Sequence, residues 1–167
     1  MSIGVDFARL LGYSDHERAK WQAWIAVDPS RLHIAFHSGG RFPTIGRLLD
    51  HIFLVEQRHL SRLQGTALPD STRVDEGDWE ALFTYAESVR SAFRHYIDTL
   101  NDARAEESVT LALGRSGDDS YTMASRTLVT HIIVHEIRHL AQIAFAARLA
   151  GIDPPGRHDY FFFATLE

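Results

Sequence analysis

Three histidines fall four residues apart, at positions 131, 135 and 139, and a glutamine follows at 142. Side chains at i and i+4 lie one above the other on a helix face. Two imidazoles placed this way can ligate one metal ion at nitrogen distances of about 2.0–2.1 Å. The three share an apolar stripe with Leu128, Ile132, Ala146 and Leu149, which predicts that they face inward. His51 lies midway along the inward face of another helical segment, and facing helices commonly assemble metal sites. A lone histidine on an apolar face is ordinarily a hydrogen-bonded core residue, so spacing alone leaves metal ligation and core packing evenly balanced.

The run His135-Glu136-Ile137-Arg138-His139 also fits H-E-x-x-H, in which two histidines bind zinc and the glutamate is a general base. The extension that carries a third ligand in one class of metalloprotease is absent, with Gln142 and Phe145 following instead. The competing reading makes Glu136 a solvated flank residue.

Composition narrows the field. The chain has 167 residues, with 17 Lys and Arg against 22 Asp and Glu, a net charge of −5. There is no basic excess to neutralise phosphates, so nucleic acid is not an expected partner. Histidine occurs 10 times and cysteine not at all, which removes disulfides, thiolate metal ligands and cysteine nucleophiles together. The N-terminal residues lack a basic patch followed by an apolar stretch, and no apolar run approaches the roughly 18 residues of a membrane span. A soluble cytoplasmic protein with no membrane partner is the expectation. At this length, residues 1–167 read as a single domain.

The elements that must position the histidines are helical. A first tract runs from about Phe7 to Ile25, with Ser14 and Glu17 spaced as a capping box, and Asp28-Pro29-Ser30 ends it. A loop with glycines at 39 and 40 leads to a second helix, with Pro43 in its first turn. Ile45, Leu48, Leu49, Ile52, Val55, Leu60 and Leu63 mark its buried face, and Gly65 stops it. Asp78 caps a third helix from about Trp79 to Leu100. Between 108 and 122, Val109, Leu111 and Leu113 alternate with polar or small residues ahead of a Gly114–Gly117 turn, which predicts a small hairpin. A fourth helix, roughly Met123 to Leu149, carries the histidine triplet. The fold class is therefore all-α, a four-helix bundle with a small hairpin or irregular insert before the last long helix. The aromatic tail, Tyr160 to Phe163, is too apolar to be left free and is expected on the bundle or at a subunit interface.

The chain resembles the DinB/YfiT-like superfamily of bacterial four-helix bundles that bind a divalent metal through three histidines. One carrying segment is Ile45-Gly46-Arg47-Leu48-Leu49-Asp50-His51, continuing through Glu56 to Leu63-Gln64-Gly65. The other is His131 through His135-Glu136-Ile137-Arg138-His139 to Gln142, followed by Arg148 to Pro155. Helix order and the hairpin also match, so the resemblance covers nearly the whole chain. It implies His51, His135 and His139 as ligands, His131 as a frequent non-ligating neighbour, and Gln142 as a usual neighbour of the site. Val134 stands where asparagine is common, and Leu140-Ala141 where Arg-Gly often precedes the glutamine; neither replaces a ligand.

Three neutral imidazoles leave a coordination position open, the mark of a catalytic rather than a structural site. The resemblance implies a metal-dependent transferase that joins a low-molecular-weight thiol to a small-molecule electrophile, with a zinc or nickel ion as cofactor, and it allows a homodimer. With no cysteine in the chain, the sulfur must arrive as a cosubstrate. The alternatives are a metal-dependent hydrolase with Glu136 as base, or a non-catalytic metal-binding protein of the stress response. Glu56 is a candidate to orient a ligand imidazole, against a solvated carboxylate. Arg138 and Arg148 are candidates for an acidic cosubstrate, against plain solvation, and His158 for the site mouth. His33, His37, His59 and His95 fall in no usable pattern.

Overall fold

The computed structural model describes residues 6–36, 42–75, 77–113 and 119–163. It is predominantly helical, with one two-stranded sheet. The elements are α1 (Phe7–Val27), a 3-10 turn (Pro29–His33), α2 (Ile45–Gln64), α3 (Trp79–Asp98), α4 (Asp102–Ala105), β1 (Ser108–Leu113), β2 (Asp119–Ala124), α5 (Ser125–Leu149) and α6 (Tyr160–Phe163). Among the four long helices, α2 and α1 each pack on both α5 and α3. No helix among the described residues is long and apolar enough to cross a membrane.

Local signals explain most boundaries. Asp6 accepts a hydrogen bond from Arg9 N at 3.1 Å, so α1 begins at Phe7, ahead of the Ser14–Glu17 pair that suggested a cap. Ser14 and Glu17 are instead buried within that helix. Thr44, not Pro43, starts α2: its hydroxyl accepts from Arg47 N at 3.2 Å. Pro43 lies one residue earlier, where its carbonyl accepts from Phe36 N at 2.9 Å. With Ile45 N donating to Ile34 O at 3.0 Å, this contact carries the chain, and Phe42 with it, over the start of α2. Gly65 takes φ +67°, the left-handed conformation that closes the helix. Asp78 caps α3 through Ala81 N at 3.0 Å, as predicted.

The hairpin forms with Val109 opposite Met123 and Leu111 opposite Tyr121. Pairing continues through Ala124, so α5 begins at Ser125 and not at Met123. It has no side-chain cap; Ser125 N and Oγ both donate to Glu107 O, at 2.8 and 3.0 Å, fixing the helix against the chain entering β1. The predicted turn at Gly114–Gly117, the glycines at 39 and 40, and His37 lie outside the described residues.

The apolar core is in two parts. One gathers Trp21, Trp24, Ile25, Leu48, Ile52, Phe53, Leu82, Phe83, Leu140 and Ile143. The other gathers Leu11, Leu60, Phe93, Tyr96, Val129, Ile132 and Ile133. Each fully buried large side chain contributes roughly 1.5–3 kcal/mol. On every long helix a buried polar residue lies between the two parts: Ser14 and Arg18 on α1, Glu56 on α2, Arg90 on α3, Glu136 on α5. The segment after Gly151 runs back along α1. Trp24 Nε1 donates to Asp153 O at 2.8 Å, Tyr13 Oη to His158 O, and the Tyr160 ring meets Tyr13 edge-on at 5.2 Å. The tail thus packs on α1, while Phe161 stays exposed.

Candidate metal centre

His51 enters from α2, and His135 and His139 from successive turns of α5. Their candidate ligand nitrogens all lie within 4.8 Å of one another. The Nε2 atoms of His135 and His139 face each other at 3.1 Å, and the His51 ring centroid is 5.1 Å from His135 and 5.3 Å from His139. Two ligands about 2.05 Å from a tetrahedral ion stand roughly 3.3 Å apart, so the pair is already near ligating distance. The donor set fits a borderline divalent ion: three imidazoles, with no carboxylate or thiolate among them. Among the described residues, this is the group of three or more candidate ligands close enough to hold a metal ion.

The surroundings favour the neutral form of His135 and His139. Burial, followed by the charges of His139, His51, His131 and His59, pushes the His135 pKa down to about 2. Burial also lowers that of His139, with Arg138 adding to the effect and the Gln142 hydrogen bond opposing it. Gln142 Oε1 lies 2.6 Å from His139 Nδ1, so Nδ1–H donates to it and the lone pair sits on Nε2, turned toward the cluster. Phe42 covers one side, with its ring 4.3 Å from that of His51 and 6.1 Å from that of His139.

The fourth histidine of the set stands elsewhere. His131 is exposed, not on the inward face, because it falls at the solvent edge of α5; Leu149 is likewise 55% exposed. The His131 ring lies 5.6 Å from His135 and 5.2 Å from His59, which comes from α2 two turns beyond His51. Sequence reasoning gave His59 no role, although its spacing of eight from His51 places it on the same side of α2. Burial first, then His131, Arg62 and His51, take its pKa down to about 3.

Glu136 is neither a solvated flank nor a general base. It is 2% exposed: Oε1 accepts from Arg18 Nε at 2.7 Å, and Oε2 accepts from Ser14 Oγ at 2.5 Å and from Arg90 Nη2. One position from His135 on the helix, its carboxylate turns about 100° away from the imidazoles. Burial would raise its pKa, but Arg18 and Arg90 outweigh that and hold it well below the usual range. Glu56 shares this fate and orients no imidazole; it pairs with Arg18 Nη2 at 2.5 Å and Arg90 Nε at 3.2 Å. Arg90, wholly buried, is the largest functional-looking residue that sequence reasoning missed. Its signal was its place among Ala86, Val89 and Phe93 on the apolar stripe of α3. His158 does not reach the site mouth either. Its Nδ1 lies 2.5 Å from Glu17 Oε2 and its ring stacks on Trp21, on the α1 side of the molecule.

A mostly helical chain whose candidate ligand cluster, among the described residues, joins two helices through three imidazoles defines a histidine-based metal-site class. The DinB family model matches residues 1–166, and the chain belongs to the DinB family. The comparison with curated proteins finds no significant match.

Proposed function

We propose that the four long helices form a four-helix bundle whose His51, His135 and His139 hold one divalent ion, zinc or nickel, and that the protein is a metal-dependent transferase using a low-molecular-weight thiol and a small-molecule electrophile. The convergence of three imidazoles, with no fourth protein ligand in the group among the described residues, carries this reading. When bound, such an ion supplies Lewis acidity and stabilises a thiolate at neutral pH. The protein's part is to hold the three imidazoles in place. Gln142 fixes the His139 tautomer, Phe42 excludes water from one side, and burial keeps protons off His135. The thiol comes from outside, because the chain has no cysteine. Glu136 has no place in this chemistry, since its carboxylate is engaged by Ser14, Arg18 and Arg90. Family membership supports the wider setting of a bacterial, cytoplasmic protein, a homodimer that acts on small molecules and not on nucleic acid or membranes.

The test is to load metal-free protein with zinc or nickel and screen bacterial thiols against electrophiles. Turnover that needs both metal and thiol, and is lost in His51→Ala with helicity retained, supports the reading. Turnover unchanged in His51→Ala refutes the assigned site. Stable metal binding without turnover for any thiol leaves a metal-binding protein and removes the transferase.

A further inference from the structure

A cavity of about 290 Å³ lies where α5, α1 and the tail meet. That is near the lower end of the roughly 300–1,000 Å³ usual for small-molecule sites. None of His51, His135 and His139 lines it, and neither does any residue of α2, so it is separate from the metal centre. Its aliphatic lining belongs to α5 and includes Ile137, Leu140 and Ala144. Its polar lining comes from Tyr13 and Glu17 of α1, His158 and Asp159 of the tail, and Arg148 in the last turn of α5.

The tail side of the cavity is fastened to one stripe of α1. Tyr13 Oη donates to His158 O, Lys20 Nζ donates to Arg157 O, and His158 Nδ1 lies 2.5 Å from Glu17 Oε2. Residues 13, 17 and 20 follow the helix period, so their side chains grip the tail in register. The polar lining is therefore held in place before any ligand arrives.

The charges around the cavity divide into two kinds. Glu17 is 4% exposed and is answered within the protein, by Lys20 Nζ at 2.7 Å and by His158. Arg148 and Asp159 are not answered: both line the cavity, yet neither forms an ion pair with the other or with any described residue. Tyr13 Oη keeps lone pairs that can accept a further hydrogen bond. Burial, then the charges of Glu17 and Asp159, raise its pKa to about 12, so it stays a hydroxyl with Asp159 within electrostatic reach. A simple amine would leave Arg148 unanswered, and a simple carboxylate would leave Asp159 unanswered. A molecule with both charges and a small apolar body answers all three parts of the lining.

We propose that this cavity binds a zwitterionic amino acid with an aliphatic side chain. Asp159 and Tyr13 Oη take its ammonium group, and Arg148 takes its carboxylate in two parallel hydrogen bonds. Ile137, Leu140 and Ala144 take the side chain. Neither the metal nor the thiol chemistry enters, so this site stands or falls apart from the proposed function.

The test uses three probes of one shape: leucine, leucinamide and 4-methylpentanoate, which at neutral pH are a zwitterion, a cation and an anion. Each is titrated by NMR into the full-length protein, metal-free and zinc-loaded, following the amides of Ile137, Ala141, Ala144 and Asp159. We expect leucine to bind at least about fivefold tighter than either analogue, the size of one exposed ion pair, with zinc making no difference. Arg148→Gln should bring leucine down to the affinity of leucinamide, and Asp159→Asn to that of 4-methylpentanoate. Both side chains are exposed, so both variants should fold as the wild type does. Arg148→Lys should restore part of the preference. No saturable binding of leucine, equal binding of the three probes, or a leucine preference that survives in either variant overturns the proposal. Leucine binding seen only with zinc places the amino acid on the metal and overturns it as well.

Discussion

His135 and Glu136 are neighbours on α5, but they belong to two regions built on opposite principles. On the Glu136 side, two guanidiniums from α1 and α3 meet two carboxylates from α2 and α5, and formal charge cancels within the cluster. On the His135 side, three imidazoles converge, with the Nε2 atoms of His135 and His139 sharing a hydrogen bond at 3.1 Å, and among the described residues the candidate ligand group includes no carboxylate. The first region is complete in itself and ties all four long helices together between two apolar clusters. The second is complementary to a cation from outside. The difference teaches that burial and perturbed ionisation do not by themselves mark a functional group. What marks it is whether the partners of that group are already in the chain.

Substitution should separate the two regions most sharply in stability. Glu136→Ala leaves Arg18 facing Glu56 alone and Arg90 facing Glu56 and Asp15, and breaking a buried pair in this way costs about 3–5 kcal/mol. Urea unfolding of the metal-free protein should show that loss, whereas His135→Ala should lose about 1 kcal/mol or less. Equal losses would mean that the imidazoles are structural. The metal reading reverses the order. Removing His51, His135 or His139 should weaken zinc binding by more than about 100-fold, beyond the 10–100-fold typical of outer partners. It should also abolish the roughly 2.7 kcal/mol of added stability expected at 100 times the dissociation constant.

Acid should also act on the two regions in different windows. The His135 pKa is depressed to about 2, so the unfolded chain takes up this proton near 6.5 and the folded one does not. The stability linked to it is therefore present above 6.5 and falls as pH drops below that, by about 1.4 kcal/mol per unit, until the folded pKa is reached. His59, lowered to about 3, adds in the same direction. Glu136 is also depressed, but its unfolded value is that of a carboxylate, 4.5, so its contribution begins to fall only below there. Metal-free protein should accordingly lose stability between pH 6.5 and 5 in the wild type, and less in His135→Ala. Unfolding curves that coincide in slope over that range would contradict the assigned burial. The smallest effect expected is that of Gln142→Leu. It frees the His139 tautomer and should lower metal affinity about tenfold, read by chelator competition, with urea stability unchanged.

Much of this was legible in the residues. The i, i+4 spacing of His135 and His139, the place of His51 on an amphipathic helix, and the alternation that became β1 all follow from helix and strand periods. The two carboxylates were misread because their chemistry was judged apart from their position. Glu136 falls on the stripe with Ile132, Ile133, Leu140 and Ile143, and Glu56 with Ile52, Phe53 and Leu60, so each was bound to be buried. The mirrored anomaly, Arg18 near Trp21 and Arg90 near Phe93, supplied the countercharges. A search for opposite charges interrupting apolar stripes on separate helices would have found the cluster. His131 was misplaced for a geometric reason: α5 drifts about 40° over four residues, which carries the triplet from the buried edge at His139 to solvent at His131. Phe42 was not predictable, because the contact of Ala35 with Thr44 that carries it over His51 has no periodic signature.

The most direct test of the central claim is a zinc or nickel titration of metal-free wild type and His51→Ala by calorimetry, with circular dichroism as a check on the fold. The account predicts one ion per wild-type chain, none in the variant, and the same helicity in both. No ion bound by the wild type, or one ion retained with full affinity after His51 is removed, would contradict it.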